Sequence, residues 1–470
     1  MLRPLLTILS GNMASSVLLL LRNIVIARML SLEDFGIAST FVLAMSLVEM
    51  MSALGLQQQL VQAKNGGDPH LQAALQGFQA MRGVMNAVFL FLLGGWIADF
   101  FQTPDAAWAY RAMALIPLVN GFLHFDTYRM SRQMNYLPTF LTTALPPLAS
   151  VLAVPLLYWL WPDYRVMLFA LLIQIVTAVA MSHLVAKRSY RLVWDRQIIR
   201  GSLRFGWPLL SNGILMFLIF NGERAVVGRE LGMEALALFG MAFSLSLAPT
   251  LVMSNTAMSF FLPQLSATKE ESTFRPLCLA AFEAHFILGG VVVLGIAILG
   301  GPFIHFALGE RYAASIPILS WMAIMQAVRL MKGGCSTVAM SRAFTANAMA
   351  ANLIRAGLLP LAWWVVAQGG DLRMVIWIGI AGEILGLGVG LALAFWRLKQ
   401  PVGPLILPLL SSLALLVVAG LHANGQHTAE DWIPDPVTSG LLLVVFTLGL
   451  FTMRDLIRYV RHRKVVRHED

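Results

Sequence analysis

The sequence predicts an all-α polytopic membrane protein of about 14 transmembrane helices, arranged as two pseudo-symmetric six-helix lobes with a two-helix C-terminal appendix. Three observations lead there. Of 470 residues, 58% are hydrophobic and only 12% charged, where a soluble domain carries about 25% charged residues. Mean hydropathy is +0.74. Apolar runs of the roughly 20 residues that a bilayer-crossing helix needs follow one another almost end to end. They are apolar all round, not alternating, which argues against a β-barrel. Finally, the basic residues are segregated between alternate loops.

The N-terminal run starts too early and is too long for a cleaved signal, so it is read as the first span. The predicted spans are about 8–29, 37–60, 78–101, 112–128, 139–161, 166–186, 208–228, 240–262, 279–304, 313–332, 346–368, 374–396, 405–423 and 437–454. With the N-terminus inside, 24 of the 33 Lys and Arg residues fall on the inner side, including KRSYRLVWDRQIIRGSLR (187–204) and the tail from Arg454. The outer loops hold five, Arg111, Arg165, Arg229, Arg311 and Arg373, and carry acids in SLEDFG (31–36) and AEDWIPDP (429–436). This is the positive-inside pattern of a membrane protein with both termini cytoplasmic. The net charge of +9 thus belongs to the membrane face, and no nucleic-acid partner is expected. Two cysteines, Cys278 and Cys335, make neither a disulfide framework nor a four-cysteine metal site. No HExxH, GxGxxG, Walker A or GxSxG stands at a usable place, so no catalytic residue, metal or cofactor is expected.

The basic stretch divides the chain into an N-lobe (1–186, spans 1–6), a basic cytoplasmic linker helix (187–206), a C-lobe (207–396, spans 7–12), spans 13–14 (397–454) and a basic cytoplasmic tail (455–470). The halves resemble each other: RNIVIARMLSLEDFG (22–36) aligns with RAVVGRELGMEALALFG (224–240) through small gaps. An offset of six spans describes a parallel repeat, and transporters often bind substrate between such repeats.

ARMLSLEDFGIASTFVLAMSLVEMMSALGLQQQLVQ (27–62) resembles the opening of the polysaccharide (Wzx-type) flippases, with L-x-x-x-[DE]-[FY]-G at Leu30–Gly36 and G-L-x-x-x-[LI]-[VI] at Gly55–Val61. FALGERYAASIPILSWMAI (306–324) is similar to an outer loop of the superfamily that also holds multidrug exporters and the lipid II flippase. The resemblance implies export of a polyprenyl-diphosphate-linked oligosaccharide across the inner membrane by alternating access. It also implies membrane lipids and a polysaccharide polymerase with its export machinery as partners.

Three arginines, Arg22, Arg224 and Arg355, are predicted inside the membrane, where each costs about 2.5–3.5 kcal/mol on insertion scales. On a helical wheel Gly11, Asn12, Ser15 and Arg22 share one arc, as do Gly213, Phe217, Asn221, Arg224 and Gly228, while Asn352 and Arg355 are i, i+3. Arg22, Arg224, Arg355, Asn221 and Asn352 are the expected diphosphate contacts, since guanidinium forks bind phosphate oxygens bidentately. The predicted intramembrane acids are Glu49, Asp126, Glu223, Glu283 and Glu383. Glu49 and Glu223 are the candidates for coupling to protons or Na⁺. Two alternatives stand beside the flippase. A cation-coupled multidrug exporter should line its cavity with acids and aromatics, and a membrane glycosyltransferase or polymerase should have a large outer loop.

Overall fold

The computed structural model describes residues 2–51, 54–399, 403–426 and 432–466. The start of the acidic loop at 429–436, part of the 397–404 connection and the end of the tail lie outside the described residues. The chain forms two compact units, Met1–Ala237 and Leu238–Asp470.

The first unit contains α1 (Leu2–Met29), α2 (Leu32–Met51), α3 (Leu56–Gln62), α4 (Pro69–Phe100), the short α5 (Ala107–Ala112), α6 (Leu115–Asn120) and α7 (Asp126–Arg132), then α8 (Leu137–Leu160), α9 (Arg165–Leu184) and α10 (Arg196–Glu230). Caps set where the helices begin. Ser31 Oγ accepts from the Asp34 N–H (3.0 Å) and donates to the Asp34 carboxylate, so Ser31 caps α2. Asp68 caps α4, with Pro69 at its first position. Asp195 accepts from the N–H groups of Gln197 and Ile198 and starts α10.

That last cap corrects the expected linker helix. Residues 187–195 are non-helical, and the helix begins only at Arg196. The stretch is tied down instead: the Val193 N–H donates to Ala73 O and the Gln76 side chain donates to Arg191 O. α10 packs on α2 and α4 within the first unit.

The connections of this unit gather at two ends. At one, Tyr164 N–H meets the Asp34 carboxylate, Trp108 donates to Tyr164 Oη, and Arg229 donates to the carbonyls of Asp99 and Phe100. At the other, Arg132 donates to Val61 O and Lys64 O, and Arg188 to Gly67 O. Successive connections therefore alternate ends, as antiparallel spans require. Glycines let backbones close up. A Cβ on Gly36 would stand 2.0 Å from Met233 O, and one on Gly213 2.4 Å from Met50 O. Gly36→Ala is accordingly expected to cost about 1–3 kcal/mol, the range for overpacking, seen as a lower melting temperature in detergent; unchanged melting would mean that α2 slides freely on its neighbour.

The second unit is built from α11 (Gly232–Ala267), which begins in the first, α12 (Glu271–Phe303), α13 (Ser315–Ser341), α14 (Thr345–Gly357), α15 (Leu359–Ala367), α16 (Leu372–Leu398), α17 (Gly403–Gly425), α18 (Pro436–Thr452) and α19 (Arg454–Val466). α13 packs between α12 and α16, α14 rests on α16, and α17 pairs with α18. Among the described residues eight helices are long and apolar enough to cross a membrane, or up to ten when bent pairs count as one. α1, α2, α13 and the broken pair α5–α6 fall outside that test.

Candidate functional site

A cavity of 520 Å³ lies within the first unit, walled by α2, α3 with the Gly55 before it, α4, α6 and α10. α4 presents Gln79, Arg82 and Asn86 to it at i, i+3 and i+7, one helical face. Gln57, Gln58, Asn120 and Asn212 complete a wall of six carboxamides. Glu49 comes from α2, and its carboxylate and the Arg82 guanidinium are electrostatic partners. Gly83 makes the wall possible, because a Cβ there would stand 2.6 Å from the Gly121 backbone and 2.7 Å from Pro117 O. The carboxamides both donate and accept hydrogen bonds, and Glu49 with Arg82 adds one ionisable group of each sign. The cavity is therefore suited to a polar, hydroxyl-rich guest.

The predicted arginines divide. Arg22 is 4% exposed and points between α8 and α9, where it donates to Ser150 Oγ (3.3 Å) and Gln174 Oε1 (2.5 Å). The Ser150 hydroxyl in turn donates a hydrogen bond to Ala170 O (2.9 Å). Arg224 is half-buried; its Nη1 reaches Asn221 Oδ1 at 3.4 Å, and its Nε finds no acceptor among the described residues. Glu223, beside it, is likewise half-buried. None of Arg22, Asn221, Glu223 and Arg224 lines the cavity; Glu49 does.

In the second unit Arg355 is 4% exposed and belongs to a cluster. Glu383 of α16, fully buried, is met by Arg329 Nε at 2.9 Å, Arg355 Nη1 at 2.8 Å and Lys332 Nζ at 2.6 Å. Lys332 also donates to Asn352 Oδ1 (3.1 Å). Three cations thus surround one carboxylate. Gly386 lets α14 and Lys332 approach α16, since a Cβ there would meet Ala351 O at 3.0 Å and Lys332 Cδ at 3.2 Å.

Arg82, Arg329 and Lys332 stand at the inner ends of the predicted spans 78–101 and 313–332, and the structure places all three inside helices that run on past those ends. The predicted tenth span stopped at 332 because charge usually marks a membrane boundary; α13 continues to Ser341. Their signal was spacing. Arg329 and Lys332 are i, i+3, within reach of one acid on a neighbouring helix.

Asp126, expected inside the membrane, instead starts α7 in the connection between α6 and α8. Its carboxylate accepts from Arg129 Nε (2.5 Å) and from the backbone N–H groups of Lys187 (2.8 Å) and Arg188 (3.3 Å). Burial alone would raise its pKa, but these donors outweigh it and hold the carboxyl below its ordinary 3.8. A depressed folded pKa stabilises at every pH above the unfolded value and is lost as pH falls through the folded one. The tie should therefore hold at neutral pH and fail only below about 4. Asp126→Asn is expected to speed amide exchange in 187–195 about tenfold or more at neutral pH, because charge-assisted bonds contribute about 1.5–3 kcal/mol. Equal exchange in both proteins would dismiss Asp126 as the anchor.

Closely packed apolar helices around a polar cavity and buried charge mark a multi-pass membrane protein. The fold agrees with solved transporters. It matches the lipid II flippase MurJ in an inward closed conformation with a TM-score of 0.70 at 14% identity, covering 98% of this chain and 100% of that one. It matches an inward-facing multidrug resistance MATE family transporter with a TM-score of 0.68 at 14% identity, covering 82% and 94%. The chain belongs to the polysaccharide biosynthesis protein family, whose model matches residues 25–317. It is similar to the lipopolysaccharide biosynthesis protein WzxC of Escherichia coli (strain K12), 19% identical over 92% of this chain and 84% of that protein. The succinoglycan biosynthesis transport protein ExoT of Rhizobium meliloti (strain 1021) is 22% identical over 65% and 62%. Its structural neighbours are a flippase and a multidrug transporter, and ExoT is a transport protein.

Proposed function

We propose that the protein flips a polyprenyl-diphosphate-linked oligosaccharide across the bacterial inner membrane for exopolysaccharide, capsule or O-antigen assembly. The observation that carries this reading is the carboxamide-walled cavity with its Glu49–Arg82 pair, in a chain of the polysaccharide biosynthesis family. An exporter of organic cations needs acids and aromatic rings in its cavity. Among the described lining residues there is one acid, balanced by an arginine, and no aromatic ring.

Arg224 with Asn221 is the diphosphate contact we favour, because Arg224 is half-buried and its contact to Asn221 is long, 3.4 Å, whereas Arg22 and Arg355 are 4% exposed. Arg22, Arg355 and Asn352 are already held by Gln174, Glu383 and Lys332. Glu49, on the cavity wall beside Arg82, is our coupling carboxylate, with Glu223 second. The fourteen-span, two-repeat organisation of the sequence and cytoplasmic termini belong to the same proposal, as do a polymerase and export machinery as partners. Reporter fusions after Asp470 and within 429–436 should read inside and outside respectively; two like signals would sink the topology.

The function is tested in a strain lacking the gene. Lipid-linked oligosaccharide should accumulate on the inner leaflet, and surface polysaccharide should return with the intact gene. Normal surface polysaccharide combined with new drug sensitivity would favour the multidrug exporter instead.

A further inference from the structure

We infer that α19 is a membrane-surface helix that binds anionic phospholipid headgroups and is clamped to the second unit by Glu283. This lies beyond the flipping reaction and does not depend on it.

The chain bends by 66° between α18 and α19, so the last span gives way to a helix running in a new direction. One face of α19 is taken up by protein. Glu283 of α12, 1% exposed, accepts the Leu456 N–H at 2.7 Å. A carboxylate from another helix thus caps the N-terminus of α19, where unsatisfied N–H groups and the helix dipole both favour negative charge. One turn on, Tyr459 Oη donates to Gln264 Oε1 (2.5 Å), and its ring packs at 6.4 Å from Phe260 and 6.2 Å from Phe261. α19 therefore bridges the C-terminal end of α11 and the side of α12 at Glu283, twelve residues into that helix, so Glu283, expected among the intramembrane acids, is engaged by α19 instead.

The other face is free of these contacts. Arg454, Arg458 and Arg461 are exposed and fall within about a 60° arc at 100° per residue. Ile457 and Val460 stand beside them, 37% and 47% exposed. The acid of this stretch, Asp455, has a side chain only 18% exposed and lies 3.8 Å from Arg458, so the outward face is basic. A row of arginines flanked by apolar side chains, on a helix leaving a membrane span, suits the boundary between headgroups and acyl chains. A soluble acidic partner would use the arginines but leave Ile457 and Val460 without purpose. Charge complementarity then selects anionic headgroups, each basic residue near such a surface contributing about 1 kcal/mol, or about fivefold.

The test uses the full chain in nanodiscs of phosphatidylcholine alone and of phosphatidylcholine mixed with phosphatidylglycerol, with hydrogen exchange read over 455–461. Exchange is expected to slow in the anionic discs by about fivefold for each engaged arginine, and high salt should remove the difference. In the R454Q/R458Q/R461Q variant exchange should be alike in both lipids. Glu283→Gln should speed exchange in both lipids, because it weakens the clamp and not the lipid contact. The inference is overturned if wild-type exchange ignores lipid charge or if the triple variant keeps the full lipid dependence. It is equally overturned if soluble glycerophosphate or an acidic peptide protects α19 in phosphatidylcholine discs as well as phosphatidylglycerol does. Because no arm measures transport, failure here is separable from failure of the flippase reading.

Discussion

Glu383→Ala is expected to leave little folded protein in the membrane. The mutation removes the carboxylate that Arg329, Lys332 and Arg355 share and strands three cations among apolar helices. Removing one partner of a buried ion pair typically costs about 3–5 kcal/mol, a large part of the 5–15 kcal/mol that holds an average protein folded. Melting in detergent should fall sharply and membrane abundance with it. Adding Lys332→Met, which removes one stranded charge, should restore part of both. Normal melting of the single mutant would show that water already solvates the cluster.

Arg82→Glu should do the opposite: abundant, inserted protein that exports nothing. The substitution faces Glu49 with a second carboxylate across a 520 Å³ cavity and repels the diphosphate of the proposed cargo. Export is expected to fall by more than about a hundredfold, since the reversal changes one side chain on the cavity wall by two units of charge. The charge-swapped pair Glu49→Arg/Arg82→Glu should recover a measurable fraction, because it restores the balance of charge. Export at wild-type level in Arg82→Glu would remove the cavity from the transport path. In the same assay Arg224→Ala should lower export at full abundance, with Arg224→Lys milder because it keeps the charge and loses the fork. Arg22→Ala should instead lower abundance by untying α8 and α9.

Hydropathy and the charge of the loops made the helical membrane architecture legible, because water and lipid act on every residue of a span. Glu49 drew notice for a similar reason, as an acid deep in an apolar run, and the structure sets it on the cavity wall. What stayed hidden was partnership. The residues that hold Arg22, Ser150 and Gln174, are 128 and 152 positions away, and no local pattern announces them. Arg329 and Lys332 were hidden by the rule that charge ends a span, which fails where an opposing charge is buried on another helix. The cavity carboxamides were passed over because Asn and Gln weigh little in hydropathy. The spacing of Gln79, Arg82 and Asn86 was the available clue.

The six carboxamides of that wall have a consequence for the range of cargo. An amide offers a donor and an acceptor and can turn to exchange them, so such a wall matches the density of hydroxyls on a guest better than their stereochemistry. A glucose and a galactose present nearly the same density. The exporter would then tolerate drift in the sugar-building enzymes upstream, and a change of surface antigen would not demand a change of gate. Placed in a host that builds a different lipid-linked glycan, the protein should support a reduced but measurable level of surface polysaccharide; none at all would mean that the cavity reads individual sugars.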